Sequence, residues 1–183
     1  MSIVKDYPMP GIATSREQEF ARIPVDVAQT SFFEGREFRF IRKITTPIIY
    51  RFTAPVEFIL SSQSFGIVDG EFEFYAWRGE NVTPSGTWAS VPILAKNISL
   101  TRRLFNGSFY AGQCTIDSGG SIVVTDSNNY ADYAHLKTSN ASGQKTSIAD
   151  QSAQGRYLAA GTYYLQFTGT AIGSYALEWE ERP

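Results

Sequence analysis

Residues able to do chemistry are few in this chain, and their spacing does not assemble them. There is one histidine, His135, and one cysteine, Cys114. A nucleophile of the Cys–His or Ser–His kind needs an activating base within hydrogen-bond reach. The sequence offers no Gly-x-Ser-x-Gly elbow, phosphate-binding loop or zinc-peptidase motif to supply one. Two carboxylates could instead hydrolyse a glycosidic bond. Glu71 and Glu73 fall on one face of a strand in alternation with Phe72 and Phe74, which is the pattern of a solvated strand face. Glu178 and Glu180 alternate with Leu177 and Trp179 in the same way. Asp126, Asn128, Asn129 and Asp132 carry oxygen ligands suited to calcium, but lack the full loop pattern and its distal Glu, and the run suits an Asx-rich turn. The expectation is a non-enzymatic protein with no catalytic residue, no metal and no cofactor.

The elements that would position these residues are strands. In the run 158–182, Tyr163, Leu165 and Phe167 alternate with Tyr164, Gln166 and Thr168, and Tyr175, Leu177 and Trp179 alternate with Ala176, Glu178 and Glu180. Period two on both sides of a glycine-marked connection predicts an antiparallel hairpin with one buried aromatic face. Alternation also marks strands at 37–42, 47–53, 56–60 and 71–77, with Asp69 and Gly70 as a hairpin signal before the last of these. Shorter candidates lie at 92–95, 98–100 and 121–125. The run 130–136 is open between a strand and a helical turn, and 117–120 and 139–154 suit loops. No amphipathic helix of three turns is visible. The fold class is all-β, an antiparallel β-sandwich of jelly-roll-like form.

At 183 residues the chain suits one domain with a tail. Residues 1–30 sustain neither period and are punctuated by Pro8, Pro10, Gly11 and Pro24, so they are expected as an extended N-terminal arm beside a sandwich at 31–183. Fully extended, such an arm reaches on the order of 100 Å. A net charge of -2 gives no basic excess for nucleic acid. No segment approaches the about 20 apolar residues of a membrane span, and no export signal is recognisable. A lone cysteine forms no internal disulfide, which suits assembly in a reducing cytoplasm. Among the aromatics, alternation assigns Tyr163, Tyr175 and Trp179 to the core, leaving Tyr164 and a loop-borne Trp88 as rings free to stack on a ligand such as a sugar.

The run from Val27 through Phe32, Phe33 and Glu37 to Phe38 resembles the N-terminal part of small virion structural proteins of tailed bacteriophages. The spacing after it, with Ile49 to Phe52, Pro55, Val56 and Phe58 to Leu60, is similar to theirs. So is the close of the chain, from Leu158 to Leu165 and from Tyr175 through Leu177 and Trp179 to Arg182. The resemblance covers about Val25 to the C-terminus and is loose between about 80 and 155. It implies a capsid decoration or cement protein, or a head- or tail-fibre element, residing in the virion. Its partners would be the major capsid protein or other virion proteins. The chain would act as a homo-oligomer, with a trimer suggested by analogy with three-fold sites on shells. Phe20, Phe32 and Phe33, in and just after the arm, are then the expected particle-interface residues. The segment 161–165 is also similar to the last hairpin of secreted carbohydrate-binding modules, which implies the alternative of a receptor- or glycan-binding fibre module using Trp88 and Tyr164.

Overall fold

The computed structural model describes residues 30–45, 47–96, 110–138, 147–148 and 155–183. The chain divides into Met1–Thr30 and Ser31–Pro183, and all that follows concerns the second unit. The arm expected at 1–30, Phe20 included, lies outside the described residues apart from Thr30.

One short helical turn, α1 (Thr30–Glu34), leads into strands. They are β1 (Glu37–Thr45), β2 (Ile48–Ala54), β3 (Glu57–Asp69), β4 (Glu71–Arg78), β5 (Val82–Val91), β6 (Leu94–Ala95), β7 (Thr115–Val124), β8 (Tyr130–Lys137), β9 (Ser147–Ile148), β10 (Arg156–Leu158), β11 (Gly161–Gly169) and β12 (Ile172–Arg182). They form two antiparallel sheets packed face to face. Sheet A has the order β10-β3-β12-β1-β6, with β9 also on β3, and sheet B has the order β5-β7-β2-β11-β4-β8. An all-β sandwich is therefore what the alternation specifies.

The pairing differs from the expected hairpins. β11 pairs with β2 and β4, while β12 pairs with β1 and β3, so the last two strands lie in different sheets. β3 and β4 part in the same way around Gly70. Among the described strands no two consecutive ones pair. The physical reason is in the glycines. Gly70 (φ 86) and Gly169 (φ 103) occupy the left-handed region and turn the chain from one sheet to the other. Their corners interlock. A Cβ on Gly70 would sit 2.6 Å from the Thr170 carbonyl oxygen, and one on Gly169 would sit 2.4 Å from that of Glu71. The Thr170 N–H donates to the same Glu71 carbonyl at 3.0 Å. A glycine between two alternating runs signals a sharp turn, but not which sheet receives the second run.

Because β11 and β12 are each flanked on both sides, their aromatic faces lie at the middle of the sandwich. Trp179 stacks on Phe38 at 5.8 Å and meets Phe52 edge-on at 5.1 Å. Phe167 lies 5.0 Å from Phe74 and 5.1 Å from Tyr175, joining the two layers. Phe72, Phe74, Ile116, Phe167, Tyr175 and Trp179 are wholly buried. Glu71 and Glu73 face outward from Phe72 and Phe74, as the alternation requires.

Among the described residues, one charged group lies inside this core. Glu181 is fully buried at the end of β12. Its carboxylate accepts from the backbone N–H groups of Gln113 (2.8 Å) and Cys114 (3.0 Å), the Tyr110 hydroxyl (2.8 Å) and, more distantly, Trp179 Nε1 (3.4 Å). Four donors offset its desolvation. The carboxylate thereby ties the chain entering β7 to the last strand of the other sheet. Burial, reinforced by Glu181, pushes the Tyr110 hydroxyl up to about 12 and the Cys114 thiol well above its ordinary range.

Candidate functional site

The residues with catalytic potential are kept apart. Cys114 is buried beside Glu181. His135 stands on the outward face of β8, where its Nε2 lies 2.7 Å from Glu71 Oε1, with Lys137 Nζ 2.8 Å from Oε2 of the same carboxylate. Hydrogen bonds from Lys137 and then His135 hold the Glu71 carboxyl below the usual carboxylate range. The Asp126 carboxylate accepts from the Asn128 N–H at 3.1 Å, an Asx turn, and Asp132 is taken by Arg156 at 2.7 Å. The cluster weighed for calcium is thus spent on a turn and an ion pair. Phe32 is half-buried in α1, whose turn closes through Gly35 N–H to the Phe32 carbonyl at 3.2 Å. Phe33 belongs to the same turn, its side chain outside the described residues.

The outer face of sheet B concentrates the exposed and half-exposed rings, and it corrects two expectations. Tyr164 is not free: it is 4% exposed and forms a second apolar cluster with Trp77 and Val82, against which Ile49, Tyr75, Trp88, Ile122 and Val124 pack. Trp88 is not in a loop but in β5, opposite Gly119. It is half-buried, 5.8 Å from the Tyr164 ring, and covered by the Arg51 guanidinium at 5.0 Å. Arg51 is held there by Asp117, to which Nε and Nη2 donate at 3.0 and 2.7 Å. Residues 117–120, expected as a loop, run inside β7, with Gly119 and Gly120 at a register shift against β5.

At the other end of this face, four rings meet where β4 and β8 pair. Tyr75 stacks on Trp77 at 5.3 Å and lies 4.9 Å from Tyr133, and Tyr130 is 5.8 Å from Tyr133 and 6.1 Å from both Tyr75 and Trp77. Tyr130 is 46% and Tyr133 37% exposed. The Trp77 Nε1–H is satisfied by Gln166 at 3.0 Å. Glu73 sits among the rings, each oxygen accepting one long hydroxyl contact, from Tyr133 at 3.3 Å and Tyr75 at 3.4 Å. Desolvation, then the Glu73 charge, raises both hydroxyls. Sequence reasoning missed this patch. Tyr130 and Tyr133 stand three apart, a helical interval, and the strand pairing slips between Ala76 and Trp77. That slip lets both rings face outward.

A cleft of about 50 Å³ opens between β8 and β10, lined by Phe58, Leu60, Gln63, Ala76 and Leu177, with the Asp132–Arg156 pair beside it. It is far smaller than the roughly 150 Å³ cavity that holds benzene. The tyrosine patch on sheet B is therefore the candidate site. It offers π faces, hydroxyls and one carboxylate, which is recognition chemistry.

No protein-family model matches the chain, and neither does any curated protein sequence or solved structure.

Proposed function

We propose that the chain is a non-enzymatic structural protein of a bacteriophage particle, a decoration or cement protein that binds the capsid surface as an oligomer. The observation that carries the reading is the strand order. With β5, β6 and β7 set aside as additions between β4 and β8, and β9 as a short flank, eight strands remain. Numbered in chain order, they lie first-eighth-third-sixth in sheet A and second-seventh-fourth-fifth in sheet B. That order supports a jelly roll, an architecture recurrent in viral capsid and lectin domains. Fold alone does not carry function. The second support is the surface chemistry, in which the outer face of sheet B presents rings rather than a catalytic constellation.

Adhesion on a repeating shell gains from multiplicity, so modest contacts per copy suffice. Each docked apolar side chain contributes about 1.5–3 kcal/mol before association costs. The arm at 1–30, Phe20 with it, would add further contact on neighbouring capsid proteins, and a trimer would match three-fold sites. The glycan-binding fibre alternative named Trp88 and Tyr164, and the burial of Tyr164 and the covering of Trp88 by Arg51 leave it without those rings.

Co-sedimentation with phage heads stripped of accessory proteins tests the reading. Saturable binding at a lattice stoichiometry is expected, with deletion of residues 1–29 weakening it while the sandwich stays folded. Heads that retain none of the protein would overturn the reading and turn the search to host-cell glycans.

A further inference from the structure

The outer face of sheet B carries one arrangement twice, once complete and once lacking a part. Toward β5 an aromatic ring, a carboxylate and a cation come together: Trp88, Asp117 and the Arg51 guanidinium, 5.0 Å from the ring centroid and doubly hydrogen-bonded to the carboxylate. Toward β8 the hydroxyls of Tyr75 and Tyr133 reach the Glu73 carboxylate, with the Tyr130 ring packed against both of theirs, and among the described residues no lysine or arginine pairs with it. The nearby cations are committed elsewhere, Lys137 to Glu71 and Arg156 to Asp132, and the His135 ring nitrogen also lies against Glu71.

We infer that the patch of Tyr75, Tyr130, Tyr133 and Glu73 docks an arginine side chain of a partner protein, which supplies the cation that Arg51 supplies on the other half of the face. The inference rests on the reading of the chain as a contact protein and names the chemistry of one contact. Charge complementarity selects the occupant. Covering Glu73 with an apolar surface would leave a desolvated carboxylate with two long hydroxyl contacts as its only compensation, whereas a guanidinium adds an opposite charge. Arginine fits better than lysine because its planar group stacks on a ring while donating two parallel hydrogen bonds to a carboxylate. Ring centroids only 4.9 to 6.1 Å apart leave no space between the rings, so the guanidinium lies on the outer surface of the patch, where Tyr130 and Tyr133 are most exposed.

The test titrates the full chain with N-acetyl-arginine methylamide at constant ionic strength, following tyrosine ring signals by NMR. The neutral isostere N-acetyl-citrulline methylamide and the neutral sugar chitotriose run in parallel. Saturable shifts at Tyr75, Tyr130 and Tyr133 are expected with the arginine amide alone, while Trp88, whose cation is in place, stays still. Glu73→Gln keeps one acceptor oxygen and offers its NH2 to the second hydroxyl, which can accept, so the exposed patch stays folded while binding weakens about fivefold. Equal shifts with citrulline, stronger binding of chitotriose, or unchanged affinity in Glu73→Gln would overturn the inference. An arginine response in a protein that ignores phage heads removes the particle role and keeps the site. Head binding without an arginine response removes the site alone.

Discussion

The two sheets have similar inner faces and unlike outer ones. On sheet A the outer face carries Ile41, Ala176 and Ser64 in register across β1, β12 and β3, with further exposed apolar side chains at Val68, Leu94, Tyr157 and Ile172. Beside it Glu178 accepts from Arg39 Nε at 2.6 Å and pairs with Lys96 at 3.1 Å, which also reaches Glu37 at 3.0 Å. On sheet B the corresponding face carries a second apolar cluster and the tyrosine patch. Exposed ion pairs contribute little and are screened by salt, while rings add buried area and specific geometry. The sandwich needs only one apolar face per sheet. The aromatic investment outside sheet B exceeds that need, which is why the proposed contact is placed there.

The comparison can be broken most sharply at Tyr164. Tyr164→Ala, on an outer face, is expected to cost about 3 kcal/mol, as a core aromatic does. Ile41→Ala, on the outer face of sheet A and 42% exposed, should cost less than about 1 kcal/mol. Equal shifts of the two urea midpoints would erase the distinction. A smaller effect is expected from Gly120→Ala, whose Cβ would lie 2.3 Å from Trp88 Cε2 at a φ of +59. About 1–2 kcal/mol should be lost, with a changed Trp88 fluorescence as the ring is displaced. An unaltered spectrum would mean that the ring is not held against β7. Arg51→Lys keeps the charge but loses the stacked, two-bond geometry, for an expected loss of about 1 kcal/mol by denaturation.

The smallest effect belongs to sheet A and to pH. Burial alone would raise the Glu178 carboxyl, but hydrogen bonds from Arg39 and Lys96, with their charges, outweigh it and hold the group below 4.5. Its contribution is therefore complete above 4.5 and is lost as pH falls through the lowered folded value. Burial alone would lower Lys96, yet Glu37 and Glu178 raise it above 10.5, so its contribution is complete below 10.5 and is lost as pH rises through the raised value. Glu178→Gln should flatten the acid limb of a stability–pH curve by less than about 1 kcal/mol. An unchanged acid limb would show these pairs to be idle.

Period-two alternation assigned the inner residues of β4, β11 and β12 because each strand has one face in the core. It could not assign Tyr164. Tyr163, Tyr164 and Leu165 are all buried, since the outer cluster covers part of the second face of β11, and alternation tells the two faces apart without showing that the outer one is covered. β5 was missed because Pro84, Ser85 and Gly86 look like a turn, whereas an edge strand tolerates proline and a glycine irregularity. Pairing was hidden at the glycine corners, which fix a bend and leave its destination to the packing of the whole sandwich. The tyrosine patch was hidden by the slip that sets Tyr130 opposite Trp77. Glu181 falls in step with Tyr175, Leu177 and Trp179, so the alternation places a carboxylate on the inner face, but the three donors that reach it from the chain entering β7 carry no signal in the sequence.

The most direct test of a working face on sheet B is tyrosine labelling of the protein free and bound to stripped phage heads, with modified sites located by mass spectrometry. Tyr157, 60% exposed on sheet A, serves as the internal reference. The account predicts that binding protects Tyr130 and Tyr133 while Tyr157 labels as before. Protection of Tyr157 with Tyr130 and Tyr133 still reactive would contradict it.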